Sequence, residues 1–290
     1  FQLNWPIFEE VPKIFAELAE VGMHSIQTSG NIVRNTTTDE YAGVLAEEVT
    51  DPRPYAEIIR QWSTFHPEFS FLPRKFKSCI NADPDVDRAA LTVNDIGINI
   101  RRNEKGEIGY RIYVGGGLGR TPIVGVVINE FVPEEDLLTY ISAILRVYNQ
   151  FGRRDNKFKA RIKILVKALK IERFKELVEL EWERIRDTED KLTKEEINRI
   201  ELHFTAHDYL DLEDGPIELQ NARLDNPDFA RWLDKNVREH KRSGYAIVTM
   251  PLKETGLTPG DITSEQLEAL ADIAEEYSFG ETRNTHQQNM

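Results

Sequence analysis

Cysteine is nearly missing from this chain, in which Cys79 carries the one thiol among 290 residues. A single cysteine excludes an internal disulfide, and it excludes any metal or iron–sulfur site that is built only from cysteines of this chain. A sequence so poor in cysteine is typical of a reducing compartment, so we expect a cytoplasmic protein.

Long apolar runs and an excess of positive charge are missing as well. No run of 18 apolar residues occurs, so we expect no membrane-spanning helix, and residues 1–5 lack the basic leader of a signal peptide. Lys and Arg number 37 against 50 Asp and Glu, for a formal net charge of -13. This balance argues against a general nucleic-acid binder. The chain begins at Phe1 without an initiator methionine, and we expect it to be part of a longer protein.

Several common catalytic motifs are not found either. His203 and His207 have the spacing of two zinc ligands, but Phe204 stands where the zincin motif requires glutamate. The glycine run 115–119 fails the dinucleotide motif, because Arg120 occupies the last glycine position, and its spacing does not fit a P-loop. No Gly-x-Ser-x-Gly elbow occurs. The sequence therefore predicts no metal site and gives no support to acyl transfer.

The most informative stretch is Arg74-Lys75-Phe76-Lys77, where three positive charges stand in four residues. Pro73 and the aromatic neighbours predict an extended segment, whose side chains alternate between its two faces. Lys75 and Lys77 would point the same way, roughly 6 to 7 Å apart along the backbone. Two such ammonium groups repel each other unless an anion lies between them. A solvated strand edge guarded by lysines explains the same residues.

Three further stretches suggest similar chemistry. Arg34 stands in a polar turn, and the run 153–167 holds seven basic residues against Asp155. A solvated helix face is the ordinary alternative for such a run. The glycines of 115–119 are either a tight turn or a place where the backbone comes close to a bulky ligand. A strongly anionic ligand is what these basic stretches have in common.

Periodicity predicts strand–helix–strand pieces at both ends of the chain, with a mixed sheet and helices between them. Predicted helices cover 6–22, 52–66 and 134–151, and further helices follow the segment 152–161 and continue to about 186. The last predicted helix begins at Thr263, with Gln266 at the capping-box position. We expect the first of these helices to pack on a sheet. Predicted strands cover 1–5, 23–29, 89–101 (with a turn in the middle), 108–114, 244–252 and 281–290.

The segments 28–35, 72–77, 114–119 and 152–163 together resemble the nitrite/sulfite reductase family, and within it the bacterial assimilatory sulfite reductase hemoproteins. The resemblance implies a siroheme linked through a cysteine to a [4Fe–4S] cluster, and six-electron reduction of sulfite to sulfide. It also implies an α+β fold, in which a mixed-sheet α/β siroheme-site domain is flanked by two ferredoxin-like half-domains. Siroheme and sulfite are both anionic, so the resemblance explains why an acidic protein carries these basic stretches.

The resemblance also implies site residues. Arg34, Lys75 and Lys77 match family residues that bind the anion and supply protons. Lys77 favours sulfite, because plant-type nitrite reductases carry asparagine at that place. The family is built from two tandem repeats, and the resemblance places its other active-site arginine just before Phe1. Arg283 occupies the related place in the second repeat, and no role is transferred to it. The cofactor contacts that the resemblance implies are Gln2, Asn4, Arg34, Asn35, Arg74, Lys75, Lys77, Gly116 and Gly117.

Domains and partners follow from the same resemblance. The predicted units are the end of a first ferredoxin-like half-domain (1–27), the siroheme-site domain (28–186), a helical connection (187–242) and the start of a second half-domain (243–290). The expected partners are sulfite or nitrite, a flavoprotein or ferredoxin that donates electrons, and a C-terminal half of the same protein with the cluster cysteines; nucleic acid and membrane are not among them. We therefore expect the chain alone not to reduce sulfite. The alternatives are a siroheme-dependent nitrite reductase that forms ammonia, and a non-catalytic fragment that binds siroheme or anions.

Overall fold

A computed structural model describes residues 3, 5–188 and 190–290. The predicted cofactor contacts Gln2 and Asn4 lie outside the described residues, as does most of the strand predicted over 1–5. The helices are α1 (Val11–Glu20), α2 (Arg53–Ser63), α3 (Leu137–Phe151), α4 (Ile162–Ile185), α5 (Lys194–Glu201), α6 (Ile217–Asp225), α7 (Pro227–Asn236) and α8 (Ser264–Tyr277). The strands are β1 (Ser78–Asn81), β2 (Ile96–Arg102), β3 (Ile108–Val114), β4 (Val126–Pro133), β5 (Val237–Glu239) and β6 (Ala246–Val248).

A mixed sheet in the order β1-β2-β3-β4 forms the centre of the larger part of the chain. β1 and β2 are parallel, whereas β2, β3 and β4 are antiparallel neighbours, so the predicted mixed sheet is confirmed. The parallel bridges Val33–Phe76 and Thr37–Cys79 continue the sheet beyond β1. This pairing brings the segment that carries Arg34 beside the segment that carries the two lysines.

The main core lies on one face of this sheet. Alternate residues of β2 (Ile96, Ile98 and Ile100) are completely buried, as the two-residue period of a strand requires. α3 covers them, and it is apolar around most of its circumference because α2 and α4 pack in the same layer. Each isoleucine buried in this way contributes about 1.5–3 kcal/mol to folding. The core thus fixes the register of β2 and, through it, of β1.

The predicted strand over 89–101 is wrong in its first half, since β2 begins only at Ile96. Ala90 has a left-handed backbone with φ of 56°, and the Asn94 side chain donates to its carbonyl at 2.9 Å. The Asp87 carboxylate accepts the amide N–H of Leu91 at 2.9 Å. These local bonds favour a short 3₁₀ turn over a strand, and they place Asp95 directly at the start of β2.

The two ends of the chain differ from the middle in burial. α1 forms as predicted, but none of its ten residues is buried, so the prediction that it packs on a sheet is wrong. The strand predicted over 23–29 is a loop. Near the C-terminus, β5 and β6 pair in a small antiparallel sheet, and α8 begins with the predicted capping box at Thr263. The strand predicted over 281–290 is reduced to one bridge between Pro251 and Asn289.

Among the residues that the structure describes, no helix has both the length and the apolar character that crossing a membrane requires.

Candidate anion-binding site

Lys75, Phe76 and Lys77 lead directly into β1 and pair with neighbouring segments on both sides, as an extended segment does, whereas Pro73 and Arg74 form a bend. The Phe76 amide donates to Ile32 O at 3.1 Å, and Phe76 O accepts the amide of Arg34 at 2.8 Å. On the other side, Lys77 O accepts the amide of Ile96 at 3.1 Å. Phe76 is completely buried, whereas Lys75 is half-buried and Lys77 is exposed. The core therefore anchors Phe76 and leaves the two flanking lysines at the surface of the sheet.

Five basic side chains share one region at this edge, and we call them the cation cluster: Arg34, Arg74, Lys75, Lys77 and Arg161. Partial burial lowers the pKa of Lys75 first of all, and the charges that act on it most strongly, from Lys77, Arg161, Arg34 and Arg74, lower it further. The pKa of Arg34 is lowered by burial and by Arg74. An anion near Lys75 and Arg34 would oppose both effects, because a negative charge favours the protonated form of each side chain.

Two of the five cations are held by neutral groups. The Arg34 guanidinium donates to Gly30 O at 3.1 and 3.2 Å, and also to Thr28 O. One of these acceptors, the Thr28 carbonyl, belongs to the loop that replaces the predicted strand over 23–29. Arg74 donates to the Asn31 amide oxygen at 3.3 Å. Neutral acceptors fix both side chains and leave their charges uncompensated.

Arg161 is the member of the cation cluster with an acidic partner. Its Nε and Nη2 donate to both oxygens of Asp95 at 2.8–3.0 Å, and the main-chain amide of Lys77 donates to the same carboxylate at 2.9 Å. The Asp95 side chain is completely buried. Burial raises the pKa of this carboxyl, and the Arg161 charge opposes that effect. Sequence reasoning missed Asp95, because nothing in the sequence connects an acid at this position with Arg161, which is 66 residues away.

The ammonium groups of Lys75 and Lys77 have no such compensation: within the described part of the chain, neither has a hydrogen-bonding or ion-pair partner. They are therefore available to a ligand. Asn35, a further predicted contact, follows Arg34 and is exposed, and its main-chain amide is within 3.4 Å of Gln27 O.

The first glycines of the run 115–119 have structural reasons of their own. Gly115 has a left-handed backbone with φ of +79°, and its amide donates to Asp95 O at 3.0 Å. At Gly116, a Cβ would lie only 2.2 Å from Thr92 O and 2.6 Å from Asn94 O, so no larger residue fits. The tight-turn interpretation thus accounts for both glycines. A Cβ at Gly117 would lie 3.2 Å from Arg161 Nη2, which places the run beside the cation cluster.

The basic residues of 153–167 do not form one continuous positive surface. Arg153 pairs with Asp155, and Lys157 lies over the exposed Phe158 ring, as on an ordinary solvated surface. Lys163 instead points inward, where its ammonium donates to the carbonyls of Gly117, Leu118 and Thr121 at 2.7–3.3 Å. Arg161 is the part of the run that joins the cation cluster. Lys163 holds the glycine turn in place through its bonds to these three carbonyls.

The residues fit one of the two expected cofactors. The cation cluster beside a turn of glycines suits a flat group that carries several carboxylates, such as siroheme. A [4Fe–4S] cluster takes four cysteine ligands, and Cys79 is the one cysteine of the sequence. It is completely buried, and burial raises the pKa of its thiol strongly. These 290 residues therefore do not supply a [4Fe–4S] site, and across the described positions no group of three or more metal-ligating side chains occurs.

Fold and site together define an α+β protein with a cluster of cations at one edge of a mixed sheet. Comparison with protein families identifies it further. Residues 29–186 match the family described as nitrite and sulphite reductase 4Fe-4S domain, and residues 237–290 match the nitrite/sulfite reductase ferredoxin-like half domain. The chain belongs to the nitrite/sulfite reductase family.

Curated relatives carry the names of both enzyme types. Sulfite reductase [ferredoxin] 1 of Mycolicibacterium paratuberculosis is 33% identical over 181 residues, which cover 62% of this chain and 32% of that protein. The chloroplastic ferredoxin–nitrite reductase of Arabidopsis thaliana is 27% identical over 296 residues, which cover 100% of this chain and 44% of that protein. The chain thus spans about a third to a half of the length of these relatives.

A solved structure has the same fold. The NirA protein of Mycobacterium tuberculosis superposes with a TM-score of 0.68 at 24% identity, over 97% of this chain and 44% of that one. The expected α+β architecture with a ferredoxin-like half-domain is therefore confirmed.

Proposed function

We propose that this chain forms the anion-binding side of a siroheme-dependent sulfite reductase, in which Arg34, Lys75 and Lys77 bind sulfite and the lysines supply protons. The observation that carries the proposal is the cation cluster: four positive side chains act on Lys75, and among the described residues only one of the five, Arg161, pairs with an acid, in a chain whose net charge is -13. Such a local concentration of like charge costs folding free energy and is explained by an anionic ligand.

The three residues divide the work by their chemistry. Arg34 stays protonated at any physiological pH, so it can bind an oxyanion without giving up a proton, through its charge and through the N–H groups that its bonds to Gly30 and Thr28 leave free. Lys75 has a lowered pKa and releases a proton more readily than a free lysine does. Lys77 is exposed and adds charge at the open side. When bound, siroheme would supply the iron and the conjugated ring through which electrons reach the substrate.

Gly116, Gly117, Arg74 and Asn35 are proposed to contact the cofactor, together with Gln2 and Asn4. Support comes from the position of Gly117 beside Arg161 and from the uncompensated charge of Arg74, which suits a ring carboxylate. The remaining members of the cation cluster would bind both the carboxylates of siroheme and the sulfite anion.

Sulfite is favoured over nitrite by charge. Sulfite carries up to two negative charges, and the two lysines without an acidic partner among the described residues would balance both. Nitrite carries one charge, so one lysine would suffice. Relatives with both names match the chain, and a competition experiment separates the two substrates. Ferredoxin appears in the names of both relatives, and we propose a ferredoxin or a flavoprotein of the cytoplasm as the electron donor.

Siroheme reconstitution tests the proposal. The purified chain is expected to bind siroheme in a 1:1 ratio, detected as a shifted Soret band that stays with the protein through gel filtration. Sulfite is expected to displace nitrite from the loaded chain. Siroheme that elutes separately from the chain would contradict the proposal, and stronger binding of nitrite would favour the nitrite reductase alternative. Sulfide production is expected to require a source of the [4Fe–4S] cluster, since Cys79 cannot hold it.

Anion binding is expected to weaken as pH rises. The pKa of Lys75 is lowered, so in the free chain this ammonium begins to lose its proton below the ordinary lysine value of about 10.4. A bound anion stabilises the protonated form, so binding takes up a proton and the affinity falls as pH rises through the lowered pKa. Sulfate is a suitable probe because its own charge is constant over this range.

Calorimetric titration with sulfate at a series of pH values measures this effect. In Lys77→Met the fall is expected to begin at a higher pH, because Lys77 is one of the charges that lower the pKa of Lys75. An affinity that stays level up to about pH 10, near the ordinary lysine pKa, would show that Lys75 takes no part in binding.

A further inference from the structure

We infer that Asp95 is the positioning residue of the cation cluster: its single buried carboxylate fixes Lys77 through the main chain and Arg161 through the side chain. The inference rests on the proposed function, because it concerns the same anion site. Asp95 itself does not face the ligand. Its role is to hold two cations that come from distant parts of the sequence at fixed positions relative to each other.

The geometry of the carboxylate carries this inference. Oδ2 accepts the Lys77 amide at 2.9 Å and also Arg161 Nη2 at 2.8 Å, while Oδ1 accepts Arg161 Nε and Nη2 at 3.0 and 2.8 Å. Both oxygens are therefore occupied by donors from the cation cluster. Such two-pronged pairs between arginine and carboxylate fix direction as well as distance.

The surroundings of Asp95 explain why it does not move. Its carbonyl accepts the Gly115 amide at 3.0 Å, and the next residue, Ile96, is a completely buried residue of the core. The main chain that carries the carboxylate is thus fixed by the bond to Gly115 and by the burial of Ile96. Arg161 directly precedes α4 and is 18% exposed, so its guanidinium is held between the buried acid and the surface.

An acid within a basic site could have the simpler effect of weakening anion binding, because it cancels one positive charge. The two effects have opposite signs when the charge is removed. If Asp95 acts only through its charge, Asp95→Asn binds anions more tightly, since the net positive charge increases. If Asp95 positions the cations, the carboxamide presents an N–H to donors that need an acceptor, Arg161 is released, and the affinity falls.

The experiment measures the sulfate affinity of the full chain by calorimetry, for the unchanged protein and for Asp95→Asn. We expect the variant to bind about tenfold more weakly, which corresponds to the loss of one well-placed charged bond. Once released, Arg161 no longer lies close to Lys75, so binding should also persist to a higher pH, because Arg161 is among the charges that lower the pKa of Lys75. If Arg161 stays in place, loss of the negative charge of Asp95 shifts the pH dependence the other way. A purely structural weakening would not shift that pH dependence.

The chain offers a matched control in Asp83. This buried acid accepts the amides of Asp85 and Val86 and pairs with Arg88 at 2.9 Å, beyond the opposite end of β1. Asp83→Asn removes the same charge from a similar environment and should leave sulfate binding within a factor of two. If Asp95→Asn fails to fold, Arg161→Lys keeps the charge but not the two-pronged pair, and it should show the same loss.

The outcomes separate the two proposals. No sulfate or siroheme binding by the unchanged chain would overturn the proposed function, and the inference with it. Normal binding by the unchanged chain, with equal or tighter binding by Asp95→Asn and Arg161→Lys, would overturn the inference alone. In the double variant Asp95→Asn/Arg161→Gln, the two losses should not add, because one residue acts through the other.

Discussion

Sulfate affinity is expected to fall about 100-fold or more when Lys75 and Lys77 are both replaced by methionine. A hydrogen bond to a charged group contributes about 1.5–3 kcal/mol, and each 1.4 kcal/mol is a factor of ten in affinity. Two such bonds are lost together. Methionine keeps most of the side-chain length, so the buried Phe76 between the two positions should retain its place in the core.

The double variant Lys157→Met/Lys159→Met is the matched control for this prediction. Both residues are exposed, lie in the basic run and carry the same total charge as the lysine pair. Their loss should change sulfate affinity by less than about threefold, because exposed charges are screened at physiological salt. Equal losses in the two double variants would mean that net charge governs binding, and the site assignment would then be wrong. The measurement is calorimetry at constant ionic strength.

The second large effect is expected from Gly116→Ala, which should lower the free energy of unfolding of the part of the chain around the four-stranded sheet by about 3 kcal/mol. The new methyl group would meet the carbonyl oxygens of Thr92 and Asn94 at 2.2 and 2.6 Å. These are main-chain atoms, so they cannot turn away as a side chain does. The 3₁₀ turn must shift, and with it Asp95, so sulfate binding should fall as well.

Amide hydrogen exchange in β2 and β3 reports this destabilisation directly. Gly22→Ala serves as the control, since nothing lies within 4 Å of the position that its new methyl group would take, and the cost is confined to its left-handed backbone, with φ of +73°. That cost is about 1 to 2 kcal/mol. Because Gly22 lies outside the sheet, exchange in β2 and β3 should stay unchanged in this control. Unchanged exchange in Gly116→Ala would show that the turn adapts, and the packing explanation would then be wrong.

Much of the fold could be predicted from local pattern. α2 and α3 follow apolar periodicity, the hairpin between β2 and β3 follows its turn residues, and α8 follows its capping box. What failed was the length of strands and the burial of helices. The turn before Ile96 depends on side-chain bonds to the backbone, which strand periodicity does not reveal. Whether α1 is exposed depends on what packs against it, and apolar periodicity gives no information about that partner.

The site could be predicted in part, for a similar physical reason. Positive charges in an acidic chain are visible in sequence, and this is how Arg34, Lys75 and Lys77 stand out. Asp95 is a single acid among many, and only the tertiary structure brings it to Arg161 at 2.8 Å. In the sequence, Lys163 does not differ from its solvated neighbours in the basic run, and only its three carbonyl partners in the structure set it apart.

The parallel bridge between Val33 and Phe76 has a consequence for how the chain folds. Arg34 and Lys75 are distant in sequence, and they meet only when the long connection between them closes onto the sheet. Closing that connection costs conformational entropy, and it also drives like charges together. An oxyanion present during this step would neutralise the repulsion, so it would act on the folding of the four-stranded sheet as well as on the finished site.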